Sequence, residues 1–271
     1  MRTYNKLLDG SRVLLGGHRG DRKNYPENTM PAFRAIEEMG ADAIETDVRM
    51  TKDGHLVLIH DRDVVRTTNG SGFVDEMTLE EIKSLDAGFW KDEKFTGERI
   101  PTVEEFLEYI SKTDIIVNWE LKEYPADLGE HAFACIDKLV ELIDRYGMAE
   151  RSLMNSSSGR NLEYVDEKWP HKFAIHGYPK KPNVSPSQKP LESFLDWAVI
   201  WSKDEEHPAG FARDYAAAKE QELLTCILVA DQKENYAAAL EMGCCMFTSD
   251  DPQKAIGILA ELGKRPLKQK T

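Results

Sequence analysis

Short β-branched or aliphatic runs alternate with amphipathic helical stretches along almost the whole chain, and this pattern restricts the fold more than any other feature. This alternation predicts parallel strands joined by helices, because two parallel strands must be joined by a crossover connection, which is usually a helix. The eight candidate strands are Val13 to Gly17, Asp42 to Val48, Asp114 to Leu121, Arg151 to Asn155, Lys172 to His176, Trp197 to Trp201, Leu223 to Val229 and Cys244 to Thr248. Eight such strands favour a TIM (β/α)8 barrel over a doubly wound sheet.

Helical periodicity fills the gaps between these strands and continues after the last one. The predicted helices are Met30 to Met39, Val103 to Ser111, Ala132 to Tyr146, Arg160 to Glu167, Leu191 to Leu195, Gly210 to Glu220, Lys233 to Glu241 and Pro252 to Leu262. Leu191 to Leu195 is short for a helix.

A β-hairpin is predicted directly after the second barrel strand, where the alternation breaks. It comprises Glu45 to Met50, the turn Thr51-Lys52-Asp53-Gly54 and His55 to His60, and Asp-Gly is a strong turn signal. A four-residue loop pairs position 45 with position 60, whereas a two-residue loop pairs position 47 with it. In either register, His60 lies across from a carboxylate on the same face.

Two long connections stand out. Asp61 to Gly97 holds a short helical stretch around Leu79 to Leu85, and long loops at the carboxyl ends of strands are usually functional. The second, Tyr178 to Pro190, fits either a lid or a solvated excursion. We expect residues 1–271 to form a single TIM-barrel domain, with 61–100 as an inserted loop region at the face where barrel enzymes carry their active sites.

Composition excludes several classes of partner. The formal net charge of -13 argues against nucleic acid or an anionic membrane surface, since either favours a basic face. The longest apolar run, Leu223 to Ala230, is too short to span a bilayer, which predicts a cytoplasmic protein. Nothing in the sequence fixes an oligomeric state. The cysteines lack ligand spacing and are interpreted as reduced core thiols: Cys135, Cys226, Cys244 and Cys245.

Acidic residues occupy the predicted strand ends. Glu45 and Asp47 are two residues apart on the second strand and therefore project to one face, as do Glu120 and Lys122 on the third. Isolated carboxylates inside a barrel would be costly, so a bound cation explains them. Oxygen ligands favour Mg²⁺ or Ca²⁺, with Mn²⁺ as an alternative. With Arg19 and Lys122, such a site keeps one net positive charge, which a phosphodiester monoanion neutralises.

Two histidines lie at the same edge, in the runs Gly17-His18-Arg19-Gly20 and Ile59-His60-Asp61. Their ordinary pKa near neutrality suits general acid and base catalysis on a phosphate ester. Taken singly, each motif also fits a turn, a solvated face or an exposed ion pair. Their combination at successive strand ends favours catalysis, and the sequence leaves open which histidine starts protonated.

These residues resemble the glycerophosphodiester phosphodiesterase family, whose barrels are related to phosphoinositide phospholipases. The resemblance lies in His18-Arg19-Gly20 with Pro26-Glu27-Asn28-Thr29, in Glu45-Thr46-Asp47-Val48 with Thr51-Lys52-Asp53-Gly54 and His60-Asp61, in Glu120-Leu121-Lys122, and in Thr248-Ser249-Asp250-Asp251-Pro252.

The resemblance implies a TIM-barrel enzyme that hydrolyses glycerophosphodiesters to glycerol 3-phosphate and an alcohol. It implies metal ligands at Glu45, Asp47 and Glu120, an acid/base pair at His18 and His60, phosphate contacts at Arg19 and Lys122, and supporting roles for Glu27 and Asn28. Attack by the glycerol 2-hydroxyl through a cyclic phosphate and direct attack by water are both compatible with it.

The chain departs from the family pattern at Ile227-Leu228-Val229-Ala230 and at Gly243-Cys244-Cys245-Met246, so the alcohol-binding wall is not carried over. Candidates for that wall are His176, Tyr178, Trp201 and Phe247. The expected substrate is a small soluble glycerophosphodiester. The alternatives are a lysophospholipid or phosphoinositide head group, or a non-catalytic barrel that binds a phosphorylated metabolite.

Overall fold

Eight parallel strands close into a barrel within the residues that the computed structural model describes, 13–200, 212–228 and 231–265. The first of these strands pairs with both the second and the last, which closes the ring. The barrel strands are β1 Leu14–His18, β2 Ala43–Met50, β4 Ile116–Leu121, β5 Ser152–Ser156, β6 Ala174–Gly177, β7 Trp197–Ile200, β8 Leu224–Leu228 and β9 Met246–Ser249. The predicted TIM (β/α)8 barrel is confirmed.

Helices cover the outside of the ring in the described parts of the chain. They are α1 Met30–Met39, α2 Leu79–Ser84, α3 Val103–Ile110, α4 Pro125–Leu128, α5 Glu130–Arg145, α6 Gly159–Lys168, α7 Ala212–Glu220, α8 Lys233–Glu241 and α9 Pro252–Glu261. Sequence signals start several of them: α3 begins at a capping box between Thr102 and Glu105. The helix predicted over Leu191 to Leu195 is wrong, because only a 3-10 turn, Leu191–Ser193, forms there. The start predicted for α7 at Gly210 lies outside the described residues.

The predicted hairpin forms, but in neither predicted register. Strand β3, Leu56–Leu58, is antiparallel to β2, with Val48 opposite Leu58 and Met50 opposite Leu56. The amide of Thr51 donates to the carbonyl of His55 at 2.9 Å, which leaves a three-residue loop whose Gly54 has φ 80°. This register places position 46, not 45 or 47, in line with position 60.

The 61–100 insertion is a packed unit. It contains α2 and two 3-10 turns, Val74–Glu76 and Glu93–Phe95. Its buried apolar side chains, Val64, Val74, Ile82, Ala87 and Ile100, form a separate cluster together with Val57 and Ile59 of the hairpin. The connection therefore has its own hydrophobic core and holds the residues after His60 in defined positions.

Alternation along the strands divides the side chains between two cores. Outward side chains pack under the helices, where the ring of Phe106 lies 4.6 Å from Phe33 and 5.6 Å from Trp119, centroid to centroid. Each barrel strand sends one residue into an inner apolar layer: Leu14, Ala43, Ile116, Leu153, Ala174, Trp197, Cys226 and Met246. This layer closes the amino end of the barrel, so a ligand site is confined to the carboxyl end.

In the described part of the chain, no helix has the length and apolar content that crossing a bilayer requires. The four cysteines are unpaired, and three of them, Cys135, Cys226 and Cys244, are buried as predicted.

Candidate active site

Strand register brings the predicted site residues to one edge of the barrel. Parallel pairing sets His18 beside Glu45 and sets Asp47 beside Glu120. Lys122 follows the last residue of β4, and all these side chains except His60 come from neighbouring strands β1, β2 and β4. His60 arrives from the hairpin, two residues beyond the end of β3.

Three buried carboxyl groups form a compact acidic cluster. One oxygen from each of Glu45, Asp47 and Glu120 lies within 4.8 Å of the other two. Burial raises the pKa of Glu45 well above its usual value, and the charges of Asp47 and Glu120 raise it further. Glu45 Oε1 accepts no hydrogen bond from any described residue, and Asp47 Oδ1 has Lys122 Nζ at 3.3 Å as its cationic neighbour. Buried carboxylate oxygens with this geometry fit a hard divalent cation.

Two cations border the acidic cluster. Lys122 Nζ lies 2.7 Å from Glu120 Oε1 and 3.3 Å from Asp47 Oδ1. Burial lowers the pKa of Lys122, but the charges of Glu120 and Asp47 outweigh it and hold the pKa above its usual value. Arg19 Nε lies 3.4 Å from Asp47 Oδ2, and the Arg19 amide donates to Glu45 Oε2 at 2.9 Å. Both cations stay charged beside the cluster.

The loop after β1 holds Arg19 and Asn28 in left-handed backbone conformations, with φ of 57° and 55°. Asn28 donates from Nδ2 to Asp47 Oδ2 at 2.7 Å and accepts from the hydroxyl of Thr46 at 2.8 Å. Burial opposes ionisation of Asp47, yet Lys122, Arg19 and this hydrogen bond lower its pKa well below the usual range. Asp47 is therefore ionised.

Glu27 supports the loop from outside the acidic cluster. Arg19 Nη1 donates to its Oε1 at 2.7 Å, and Arg66 donates to both of its oxygens at 2.8 and 3.0 Å. Burial raises the pKa of Glu27, but its bonds and charges with Arg66 and Arg19 prevail and lower it to about 2. Glu27 thus connects the Arg19 loop to the 61–100 insertion.

Each site histidine has a carboxylate at Nδ1. His18 Nδ1 lies 2.6 Å from Asp250 Oδ1, and His60 Nδ1 lies 2.6 Å from Asp61 Oδ1. This contact orients each ring and leaves Nε2 as the ring nitrogen that does not contact that carboxylate. Burial lowers the pKa of His60, and Lys122 and Arg19 add to that effect against the opposing charge of Asp47.

The cleft above the inner apolar layer contains most of the predicted set. His18, Arg19, Glu45, His60, Glu120 and Lys122 line it, and so do two predicted wall residues, His176 and Tyr178. The prediction for Phe247 is wrong: its side chain is fully buried and stacks on Tyr236 at 4.2 Å, because alternation turns it toward the helices. Trp201 lies outside the described residues.

Several residues at the site were missing from the predicted set. Asp61 and Asp250 were visible in the motifs, but their contacts with the histidines were not. Arg49 donates to the carbonyl of His60 at 2.9 and 3.0 Å, and no sequence signal distinguishes it from an ordinary strand arginine. Asn118 and Asn155 line the cleft at the ends of their strands, where alternation predicts an inward side chain but no function.

Comparisons with known proteins place the chain among related sequences. The sequence model of the "Glycerophosphoryl diester phosphodiesterase family" matches residues 18–254. A glycerophosphodiester phosphodiesterase of Caldanaerobacter subterraneus is 49% identical over 164 residues, covering 59% of this chain and 64% of that protein. One from Bacillus subtilis is 31% identical over 206 residues, covering 73% of this chain and 70% of the relative. The alignment thus spans just under two thirds of the first relative.

Solved structures share the fold over nearly the whole chain. A phosphodiesterase of Oleispira antarctica, solved in complex with sn-glycerol-3-phosphate, superposes with a TM-score of 0.79 at 25% identity and covers 92% of this chain and 97% of its own. A glycerophosphodiester phosphodiesterase of Agrobacterium tumefaciens gives a TM-score of 0.71 at 25% identity, with 90% and 98% covered.

Proposed function

The chain belongs to the glycerophosphoryl diester phosphodiesterase family, and from that membership we propose that it hydrolyses glycerophosphodiesters to glycerol 3-phosphate and an alcohol. One observation carries the proposal: Glu45 and Glu120 line a cleft together with two histidines that each contact a carboxylate, and Asp47 completes the acidic cluster behind them, with one oxygen of each acid within 4.8 Å of the others. The glycerol 3-phosphate in the Oleispira antarctica structure supports the same product class. A binding protein would need the anion contacts but not two oriented imidazoles.

Glu45, Asp47 and Glu120 would hold one divalent cation, Mg²⁺ or Ca²⁺, with Mn²⁺ as an alternative. Glu45 Oε1, a buried carboxylate oxygen without a hydrogen-bond donor in the described chain, supports this assignment. When bound, such an ion polarises the phosphoryl oxygen and stabilises negative charge in the transition state. Asn28 fixes one oxygen of Asp47 so that the other faces the cluster.

Arg19 and Lys122 would bind and orient the phosphate. Both side chains are already buried beside carboxylates in the free protein, so binding of the anion adds no further cost of desolvating them. Three carboxylates, a divalent ion and these two cations leave one net positive charge, which matches a diester monoanion. Favourable charge balance is expected to select a singly charged diester over a doubly charged monoester.

His60 and His18 would exchange the protons. His60, whose lowered pKa favours the neutral ring, takes the proton from the attacking oxygen, which is water or the glycerol 2-hydroxyl. The new phosphorus–oxygen bond forms as the bond to the alcohol breaks, and His18 gives a proton to the departing oxygen. Asp250 Oδ1, 2.6 Å from His18 Nδ1, orients the ring for that transfer. If a cyclic phosphate forms, water opens it with the two roles reversed.

A substrate panel tests the proposal. Glycerophosphocholine and glycerophosphoethanolamine with Mg²⁺, Ca²⁺ or Mn²⁺ should release glycerol 3-phosphate, and EDTA should stop the release. His60→Ala should lose turnover while it largely keeps affinity for the product, and His55→Ala, an exposed histidine in the hairpin loop, serves as the matched control. Turnover that survives complete metal removal, or a parent protein that turns over no diester, contradicts the proposal.

A second candidate function is cleavage of a lysophospholipid head group. It is favoured by two exposed aromatic side chains in the 61–100 insertion, Phe89 at 61% and Trp90 at 37% exposure. Next to them, Lys91 Nζ donates to the carbonyl of Arg22, which lies in the loop after β1 that also holds Arg19 and Asn28. Faster turnover of lysophosphatidylcholine than of glycerophosphocholine, abolished in Phe89→Ser, is the result that selects this function over the first.

We also propose that residues 1–271 form one catalytic domain with 61–100 inserted at the active-site face. The closed ring of strands and the separate apolar cluster under the insertion support that division. A small-molecule substrate is the proposed partner, and a cytoplasmic location stays a prediction.

A further inference from the structure

The floor of the cleft has a polar half and a mostly apolar half. Moving two residues along each strand from the inner apolar layer gives the next inward-facing layer, because side chains alternate. On barrel strands β2, β4, β5 and β6 this layer is polar, and on β7 and β8 it is apolar. The cleft-lining members are Glu45, Asn118, Asn155 and His176 on the polar side, Val199 and Leu228 on the apolar side, and Thr248 on β9.

Two members of the polar half are buried and incompletely hydrogen-bonded. Asn155 and His176 are each 2% exposed. Asn155 Oδ1 and His176 Nε2 find no hydrogen-bond partner in the described segments of the chain. Their remaining polar atoms are held in place, since Asn118 Nδ2 lies 3.1 Å from His176 Nδ1 and Asn155 bonds the hydroxyl of Tyr178. A buried polar atom without a partner is unfavourable, so a ligand that supplies the partner binds preferentially.

We propose that Asn155 and His176 form an uncharged subsite that binds the hydroxyl groups of the substrate's glycerol arm and thereby determines substrate specificity. This inference rests on the proposed function. A hydroxyl group donates and accepts, so it satisfies an amide oxygen and an imidazole nitrogen together. Because neither side chain carries a charge, the subsite favours a polyol over an ammonium group.

Register places the subsite next to the phosphate position. Glu120 pairs with Asn155, and Asn155 pairs with His176, on consecutive strands. Neighbouring strands lie about 4.8 Å apart, so the two polar groups stand roughly 5 and 10 Å around the ring from the acidic cluster. The two free hydroxyls of a glycerol phosphate ester are on the second and third carbons counted from the phosphate, which fits this spacing. Burial lowers the pKa of His176 to about 3, so the ring stays neutral and does not compete for the phosphate.

A comparison of two ligands tests the subsite. Glycerophosphocholine carries both glycerol hydroxyls, and propyl phosphocholine carries neither while keeping the phosphate and the choline. Because propyl phosphocholine lacks the 2-hydroxyl that a cyclic route uses, its affinity is measured as a competitive inhibition constant. His176→Leu should lower kcat/KM on glycerophosphocholine about tenfold or more and leave the inhibition constant of propyl phosphocholine nearly unchanged. If His176→Leu does not fold, Asn155→Leu tests the same subsite from the neighbouring strand.

Trp197→Phe is the matched control. Trp197 Nε1 is also buried without a hydrogen-bond partner in the described chain, and its ring contacts His176 edge to face at 6.2 Å. It belongs to the layer beneath the cleft, so Trp197→Phe should change kcat/KM for glycerophosphocholine and the affinity for propyl phosphocholine by the same factor. The inference is overturned if His176→Leu and Asn155→Leu weaken binding of propyl phosphocholine by the same factor as they lower kcat/KM on glycerophosphocholine.

Binding without turnover separates this inference from the proposed function. Calorimetry with glycerol 3-phosphate and propyl phosphate should show that the parent protein prefers glycerol 3-phosphate and that His176→Leu loses this preference. If the parent hydrolyses no diester but shows this pattern, the proposed reaction fails and the subsite is supported. Equal affinity of the parent for the two ligands refutes the subsite, whatever the enzyme hydrolyses.

Discussion

Asp61 lies between a proposed catalytic histidine and an arginine, and this position makes one substitution especially informative. Its Oδ1 lies 2.6 Å from His60 Nδ1, and its Oδ2 accepts from Arg66 Nε at 2.5 Å. Burial opposes ionisation of Asp61, but Arg66 and His60 lower its pKa to about 2, so both contacts are made by a carboxylate. The aspartate therefore keeps the His60 proton on Nδ1 and leaves Nε2 free to accept another.

Asp61→Asn should reverse that arrangement. Arg66 can only donate, so the amide oxygen of the new asparagine must face Arg66 and its NH₂ group must face His60. Nδ1 of His60 then has to accept, which puts the ring proton on Nε2 and blocks the base. Losing a charged hydrogen bond alone costs about 1.5–3 kcal/mol, a factor of about 10 to 150. The wrong tautomer adds to this, so we expect kcat to fall by about 10²–10⁴ with little change in KM.

A double-mutant cycle with Arg66→Met isolates the cause. Without Arg66, the amide can rotate and present its oxygen to His60, so Asp61→Asn should cost at least tenfold less in the Arg66→Met background. Arg66→Met alone also loses the bonds to Glu27, and the cycle subtracts that effect. Steady-state kinetics on glycerophosphocholine give the four values. The reasoning is refuted if Asp61→Asn keeps more than a third of kcat, or if the two losses are simply additive.

Three further predictions concern the metal cluster, the support loop and the outer core. Mg²⁺ or Ca²⁺ at a hundred times its dissociation constant should raise the free energy of unfolding of the parent protein by about 2.7 kcal/mol, measured by thermal unfolding. The same ion should leave the stability of Glu45→Gln unchanged. If the ion stabilises both proteins equally, this cluster is not its binding site. Glu27, whose pKa is lowered to about 2, stabilises the fold above pH 4.5 and loses that effect as the pH falls toward 2. Glu27→Gln should therefore lose up to about 3 kcal/mol in urea unfolding at pH 7 and progressively less from pH 5 to 2; a pH-independent deficit contradicts the ion-pair account. Phe247→Ala should cost about 3–5 kcal/mol of unfolding free energy while kcat of the folded protein stays unchanged, and a selective loss of kcat would return Phe247 to the cleft wall.

The sequence by itself determined the barrel and the composition of its acidic edge. Alternating strand and helix patterns are local signals, and side-chain alternation within a strand follows from backbone geometry. Glu45 with Asp47, and Glu120 with Lys122, were therefore assignable to shared faces before any coordinates. The order of parallel strands around a barrel then brings these faces together, as the register between β2 and β4 shows.

Only the tertiary structure decided the contacts that join distant segments. The hairpin register depends on how the three-residue loop closes, and a shift of one residue from either predicted pairing brought position 46 in line with His60. Asp250 reaches His18 across 232 positions of sequence, and Arg66 reaches Glu27 across 39, so neither pairing has a local signal.

The same distinction explains Phe247 and His176. Both are large side chains at strand ends, and both were predicted to line the cleft, but strand position sets one to face the helices and the other to face the barrel interior. Composition and periodicity fix which residues are buried. Which neighbours they meet, and whether a buried polar atom is left for a ligand, depends on how the strands close around the barrel.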